Sequence, residues 1–202
     1  MIDPYYRVKH DIHRKRPAYG FLCLAWMAFM AVIAGFFGYF SYNIEPNSPC
    51  FVKEGEFTPL AEVKLGEGVY DDIDDIAYQF DIVINMFFMQ SVTAAFLSLF
   101  AVLSIFFFPY LLKYDHPLNI LIVGDMVFGI ICMFFLHLVR LGHGGKVCSG
   151  DYLADSNPGN AKGYLLERGW LLWFYIQAFW ITMGVVFFIL ITIIVMVIKS
   201  LK

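Results

Sequence analysis

The stretch at residues 20–42, GFLCLAWMAFMAVIAGFFGYFSY, decides the fold class of this chain. It runs for 23 residues without a charged side chain, and roughly 20 helical residues are enough to cross the hydrocarbon core of a bilayer. A signal peptide has a shorter apolar core, and the following SYNIEPNSPC offers no clear small-x-small cleavage site. The stretch therefore predicts a retained transmembrane helix.

The composition extends this conclusion to the whole chain. Of 202 residues, 60% are hydrophobic, 19% aromatic and 15% charged, and the mean hydropathy is +0.68. Soluble domains are typically about 25% charged. Three further apolar runs lack a central Lys, Arg or Glu and lie at about 82–112, 118–139 and 170–198.

These runs predict an all-α membrane protein, a four-transmembrane-helix bundle that forms a single tetraspan domain over residues 1–202. Two outer loops follow, at about 43–81 and 140–169. In the first of them the stretch FVKEGEFTPLAEVKL weakly alternates apolar and polar residues, which predicts one or two short β-strands. The second is rich in glycine, which predicts tight turns.

Lysine and arginine are unevenly divided between the two sides of the predicted bundle. The side of the termini has eight of them and three acids, whereas the side of the two long loops has six and thirteen acids. Because basic residues accumulate in cytosolic segments, both termini are predicted to be cytosolic. The expected location is a multi-pass protein of the secretory pathway, in the plasma membrane or a vesicle.

Two cysteines lie outside the predicted spans. Cys50 and Cys148 each fall in one outer loop, whereas Cys23 and Cys132 lie within helices. An oxidising exterior favours a Cys50–Cys148 disulfide between the two loops; two free thiols are the alternative. Metal binding is disfavoured because His143 and Cys148 lack CxxC or HxxxH spacing, and no base is placed to activate a nucleophile.

The acidic cluster DDIDDI at residues 71–76 resembles a calcium loop only in composition. The glycine and the terminal glutamate of an EF-hand are missing. A solvated acidic face, or aspartates that cap the start of the second helix, explains the cluster better than an ion site.

Small residues repeat with the same i, i+3, i+7, i+10 spacing in the first two spans. This spacing places each set on one helical face, and close approach of such faces drives helix association in lipid. The two faces are therefore predicted to meet in an antiparallel pair. They consist of Ala28, Ala31, Gly35 and Gly38 in span one and of Ser91, Ala94, Ser98 and Ala101 in span two.

Asp125 is the one acidic residue inside a span. An intramembrane carboxylate costs roughly 2–3 kcal/mol unless it is hydrated or paired, and no second acid or basic partner lies at its depth. A neutral carboxyl group, or one bonded to Ser, Thr or Tyr groups of a neighbouring helix, is preferred over an ion pathway.

The general plan resembles the MARVEL-type four-helix proteins. The resemblance is carried by the short basic N-terminal tail, the short KYDHP loop between spans two and three, and the segment KVCSGDYL with YLLERGWLL leading into the last span. It covers most of the chain in plan but only about twenty-five residues in motif. It implies a protein that shapes vesicle, junctional or other membrane domains.

The leading functional hypothesis is a non-enzymatic protein that organises or scaffolds a membrane domain. Its expected partners are the lipid bilayer and other membrane proteins, bound through the outer loops, and a homo-oligomer is a further possibility. The alternatives are a channel or transporter component and an accessory subunit of a large membrane complex. No HExxH, GxSxG, paired-acid or histidine-box pattern indicates an enzyme, and neither a cofactor nor a nucleic-acid partner is predicted.

Overall fold

The structure is a computed structural model that describes residues 4–43, 49–59, 73–107, 115–152 and 164–200. Within these ranges it describes the backbone alone for residues 4–16, 43, 115–116 and 200.

Four long helices dominate the described residues. They are α1 (Pro4–Asn43), α2 (Ile76–Phe106), α3 (Asp115–Leu141) and α5 (Leu166–Ser200). Each contains a segment long and apolar enough to cross a membrane. The predicted all-α, four-span fold class is confirmed, and the chain is a multi-pass membrane protein.

The remaining elements are short and lie between the spans. Strands β1 (Phe51–Lys53) and β2 (Ile73–Asp75) form an antiparallel pair. Helix α4 covers His143–Cys148. The predicted strand in the first loop is confirmed for β1. Its partner β2 lies in the acidic cluster, outside the stretch predicted to form strands.

Two spans begin earlier than hydropathy predicts. Helix α2 begins at Ile76 rather than near residue 82, and α5 begins at Leu166 rather than near residue 170. The additional turns contain Asp81 and Arg168, whose charges lower the local hydropathy. In these helical turns the two charged side chains pair with each other.

The other span boundaries agree more closely. The apolar segments of α1 and α3 are Pro17–Tyr42 and Pro117–Leu141, against predictions of about 20–42 and 118–139. Helix α2 ends at Phe106, and the predicted continuation through residues 108–112 lies outside the described residues.

The chain divides into two compact units. The first comprises residues 1–43 and 82–132, and the second comprises residues 44–81 and 133–202. Each is described by itself below.

In the first unit, α1 and α2 run antiparallel. The Phe37 and Phe87 rings stack with centroids 5.2 Å apart, and Phe21 packs edge-on against Phe106 at the opposite end of the pair. Because residues early in α1 meet residues late in α2, the predicted antiparallel pairing is confirmed.

The prediction that the small-residue face of α1 is its packed face is wrong. Ala28, Ala31 and Gly35 are exposed, and Gly38 is half-buried. The buried face of α1 carries Met30, Ala34 and Phe37 instead. In lipid, helix association depends on van der Waals contact, and large side chains such as Met30 and Phe37 provide more of it than a row of alanine and glycine.

On α2 the predicted face does turn inward. Ser91 and Ala94 are buried, and Ser98 and Ala101 are half-buried. The hydroxyl of Ser98 donates a hydrogen bond to the Ala94 carbonyl of its own helix. The polar groups on this face are therefore partly satisfied within α2 rather than across to a neighbour.

Candidate functional site: a disulfide-linked cap

The second unit contains a compact cap, defined as residues 49–59, 73–81, 140–152 and 164–169. It combines β1, β2 and α4 with the adjoining ends of α2, α3 and α5. Eight of its side chains are at most 3% exposed. These are Cys50, Val52, Ile76, Phe80, Val147, Cys148, Leu165 and Arg168.

A disulfide bond links the two loops of the cap. Cys50 and Cys148 are bonded, with their Cα atoms 6.1 Å apart, and both residues are fully buried. The predicted pairing is therefore present, and Cys148 is not free to act as a metal ligand or nucleophile. Backbone hydrogen bonds continue the connection, from Ile76 N–H to the Cys50 carbonyl and from Leu165 N–H to the Cys148 carbonyl.

The start of α2 is capped by the acidic cluster. The Asp75 carboxylate accepts a hydrogen bond from the Tyr78 N–H at 3.1 Å, which satisfies one of the free N–H groups of the first turn. The helix-capping interpretation of the cluster is thus supported for Asp75. Asp71 and Asp72 lie outside the described residues.

A buried arginine joins three parts of the cap. The Arg140 side chain is only 4% exposed and donates from Nε to the Gly169 carbonyl at 2.8 Å. Its two terminal nitrogens each donate to one carboxylate oxygen of Asp151 at 2.8 Å. This bidentate geometry is the strong form of an arginine–carboxylate pair. It ties the end of α3 to the turn after α4 and to the first turn of α5.

A second buried arginine joins α5 to α2. Arg168 is 1% exposed, and one of its terminal nitrogens donates to Asp81 at 2.5 Å. Buried ion pairs add little net stability because desolvation offsets their attraction, but removal of one partner is costly. The two arginines therefore specify how the helix ends meet.

Aromatic side chains cluster around His143 on the surface of the cap. The His143 Nε2–H donates to the Glu56 carbonyl at 2.7 Å, and the ring packs edge-on against Phe57. Phe57 also packs edge-on against Tyr152, with ring centroids 5.1 Å apart. Phe57 and Tyr152, here called the aromatic pair, are nevertheless 58% and 47% exposed.

The described residues contain no group of three His, Cys, Asp or Glu side chains placed to hold a metal ion. His143 and Cys148, the candidate ligands considered from the sequence, are held by a backbone carbonyl and by the disulfide.

His137 has hydrogen-bonded partners at both ring nitrogens. Trp180 donates its indole N–H to Nε2 at 2.9 Å, and Nδ1 lies 2.7 Å from the Met133 carbonyl. Since an indole N–H can only donate, Nε2 accepts and Nδ1 carries the proton. Both nitrogens are then occupied, so His137 acts as a packing residue between α3 and α5.

Asp125 lies in the first unit and contacts an amide rather than a hydroxyl. Gln90 Nε2 on α2 donates to Asp125 Oδ2 at 3.4 Å, so the predicted Ser, Thr or Tyr partner is corrected to Gln90. Within the part of the chain that the structure describes, Asp125 Oδ1 and the buried Ser91 hydroxyl oxygen have no hydrogen-bond partner. Gln90 lies beside Gly129 of α3, where a Cβ atom would be in ordinary contact with its amide nitrogen at 3.5 Å.

The last helix carries an apolar surface on all sides. From residue 180 to residue 198 every side chain of α5 is exposed, and none of them is charged. The hydroxyls of Thr182 and Thr192 donate to the carbonyls four residues earlier, at Ala178 and Phe188. A helix surface without free side-chain donors suits contact with hydrocarbon.

The glycines around α4 allow a close approach instead of the tight turns expected from the sequence. A Cβ atom on Gly144 would overlap the Ile76 side chain, and one on Gly145 would overlap the Val139 carbonyl oxygen. Gly142 to Gly145 therefore let α4 lie directly on α3 and β1. Gly150 does occupy a turn, with a φ of 77°.

Gly145→Ala is expected to destabilise the cap by about 1–3 kcal/mol, because the added methyl group would displace backbone rather than a flexible side chain. Thermal unfolding of the purified protein, followed by tryptophan fluorescence, measures the effect. Gly184→Ala is the matched control, since a Cβ there meets nothing within 4 Å. Equal melting temperatures for the two variants would contradict the tight contact at Gly145.

In comparisons with protein-family models, with curated proteins and with solved structures, no match to this chain was found. The resemblance to MARVEL-type proteins therefore stays a prediction, and the functional argument depends on the geometry of the chain itself.

The sequence indicated some of the cap residues but not their roles. It singled out both disulfide cysteines, whereas Arg140 and Arg168 were counted only as loop charges. A usable signal was present: Asp81 and Arg168 are opposite charges that flank the ends of two predicted spans. Opposite charges next to the ends of two spans indicate an ion pair between the helix ends, rather than two separate charges in the loops.

Proposed function

We propose that this chain is a non-enzymatic membrane protein that organises a membrane domain or assembly by docking partner membrane proteins on its cap. The observation that carries the proposal is the exposed aromatic pair on a braced support. Phe57 and Tyr152 are about half exposed, although the surrounding cap is held by a disulfide and two buried arginines. Membership of the MARVEL-type group is part of the same proposal.

Aromatic side chains of this kind are enriched at the centres of protein interfaces. A rigid support lowers the conformational entropy lost on binding, so that more of the contact energy appears as affinity. Edge-on packing of Phe57 against Tyr152 and His143 fixes the orientation of the rings before a partner arrives. The cap thus has the features of a preformed docking surface.

Removal of the aromatic pair is expected to release the chain from its assembly. The double variant Phe57→Ser, Tyr152→Ser and the wild type would be extracted from membranes in a mild detergent. We expect the wild type to migrate above the mass of a single chain with its detergent. The double variant should shift to that single-chain mass, because interface aromatics contribute about 2 kcal/mol or more each.

Tyr78→Ser is the control for this experiment, since Tyr78 is 64% exposed in the cap but is not part of the aromatic pair. Co-purification of two differently tagged copies would identify a homo-oligomer. Wild type that already migrates as a single chain, or a double variant that remains in the assembly, would refute docking at this surface.

We further propose that the cap faces the lumen or the cell exterior and that both termini are cytosolic. The disulfide supports this orientation because structural disulfides persist in oxidising compartments, and the distribution of basic residues agrees with it. In sealed vesicles of secretory membranes, protease added outside should remove an N-terminal tag and leave the linked Cys50–Cys148 peptide intact. Tags on the two ends that report opposite sides would contradict the orientation.

A channel or transporter component is the second candidate, and the buried polar contact of Asp125 with Gln90 favours it. Ion or proton flux through the purified protein in liposomes tests this function, with Asp125→Asn as the first variant. Flux that Asp125→Asn abolishes would replace the scaffold proposal. If the chain is instead an accessory subunit of a large membrane complex, other chains should co-purify with it in fixed stoichiometry.

A further inference from the structure

A half-open cavity of about 320 Å³ lies between the cap and the adjoining last turn of α3. Its volume lies at the lower end of the roughly 300–1,000 Å³ of small-molecule sites. Apolar side chains of β1, α2 and α3 line part of the cavity, namely Val52, Ile76, Leu138 and Val139. All the lining residues belong to the second unit, so the cavity is a property of one compact body.

Two carboxylates open into this cavity from the strand pair. Asp74 lies directly opposite Val52 across the antiparallel ladder, and Glu54 is the first residue of the turn that follows β1. Both carboxylates line the cavity and both residues are exposed.

The charge of these carboxylates is unbalanced. Within the described ranges, neither the Glu54 carboxylate nor the Asp74 carboxylate has a hydrogen bond or an ion pair, and no lysine or arginine lines the cavity. His143 also lines it, but its Nε2–H is directed to the Glu56 carbonyl. Two like charges on one wall disfavour an anion and favour a cation.

We propose that this cavity binds a small organic ammonium group, with Glu54 and Asp74 as its counter-ions and the apolar wall against its carbon substituents. A bare metal ion fits the lining less well, because apolar side chains supply no ligands and carboxylates alone leave its coordination incomplete. An alkylated ammonium suits both surfaces, since its charge is spread over carbon groups that can contact Val52 and Ile76. The site is independent of the docking function proposed for the aromatic pair.

The same ammonium chemistry has two sources, a soluble organic cation and the headgroup of a lipid. The position of the cavity admits both, because Leu138 and Val139 belong to the last turn of the apolar segment Pro117–Leu141. The cavity therefore lies where α3 leaves the hydrocarbon, at the level of lipid headgroups.

Choline chloride is the probe for the site, and its uncharged carbon isostere 3,3-dimethyl-1-butanol is the matched ligand. Binding would be measured by saturation-transfer NMR on the disulfide-bonded protein in phosphatidylglycerol nanodiscs. We expect Glu54→Gln and Asp74→Asn each to weaken choline binding about fivefold to tenfold, and the double variant to abolish it. The neutral isostere should bind at least about tenfold more weakly than choline.

Glu167→Gln is the control variant, because it removes one exposed acid from the same unit at a position that does not line the cavity. Its choline affinity should equal that of the wild type. The double variant in the same nanodiscs also corrects for choline attracted by the anionic lipid. Equal binding of choline and its isostere, equal binding by wild type and double variant, or no choline binding at all would overturn the proposal.

A second set of nanodiscs, made of phosphatidylcholine, distinguishes the two sources. At an ionic strength that screens the attraction of choline to anionic lipid, weaker binding of free choline to the wild type in these nanodiscs than in phosphatidylglycerol means that the lipid headgroup already occupies the site. Equal affinity in both lipids means that a soluble ammonium compound is the ligand. Both results support the cation site and differ only in its occupant.

Discussion

Replacing Cys50 and Cys148 together with serine is expected to destabilise the cap by about 2–4 kcal/mol. The disulfide closes a loop between cysteines 98 residues apart, and long loops lose the most entropy when they are closed in the unfolded chain. Helices that remain in the bilayer already restrict that chain, so the gain should stay below the full entropic value for a loop of this length.

Thermal unfolding of the wild type under oxidising and reducing conditions measures the same quantity without a mutation. Both the reduced wild type and the double serine variant should melt at a similarly lowered temperature and become sensitive to protease in the cap. Cys23→Ser is the control, since Cys23 is a free, half-buried cysteine in α1. Unchanged melting after full reduction would show that the helices alone hold the cap.

Asp151→Asn is expected to destabilise the cap by about 2–3 kcal/mol, because it leaves the buried Arg140 guanidinium without its carboxylate. The substitution keeps the volume of the side chain and removes only the charge and one acceptor oxygen. Arg140 is 4% exposed whereas Asp151 is 36% exposed, so water can compensate for part of this loss only from the side of the carboxylate. Chemical denaturation in detergent, monitored by tryptophan fluorescence, gives the free energy of unfolding.

Arg140→Lys should also destabilise the cap, although it preserves the positive charge. A lysine ammonium cannot bond both Asp151 oxygens in the bidentate geometry and reach the Gly169 carbonyl at once. Glu167→Gln serves as the charge-matched control in the first turn of α5 and should change stability by less than about 0.5 kcal/mol. If Asp151→Asn changed the free energy of unfolding as little as Glu167→Gln, the Arg140–Asp151 ion pair would not contribute to the stability of the cap.

The helix pair of the first unit shows where pattern reasoning succeeds and where it fails. The antiparallel contact of α1 with α2 was predicted correctly, because consecutive spans joined by one loop must run in opposite directions. The face of α1 was predicted wrongly, since Met30, Ala34 and Phe37 are buried while Ala28, Ala31 and Gly35 are exposed. Periodicity identifies which residues share a face, but it does not say which of several apolar faces meets a neighbour.

The cap shows the same division. Its disulfide could be predicted because only two cysteines lie outside the apolar runs, so the topology leaves one pairing. The cavity could not be predicted, because it requires that β2 pair with β1 in a register that places Asp74 beside Val52. That register brings together residues far apart in the chain, and no local pattern records it.

The sequence by itself determined the four spans, since a continuous apolar segment in hydrocarbon must satisfy its own backbone hydrogen bonds as a helix. It also favoured the Cys50–Cys148 disulfide over two free thiols. The tertiary structure alone decided which helix faces are buried, which carboxylate each buried arginine meets, and that two acids share one cavity. The physical reason is that burial in a bilayer is a local property of twenty consecutive residues, whereas the partner of a charge or of a packed side chain depends on segments far away in the chain.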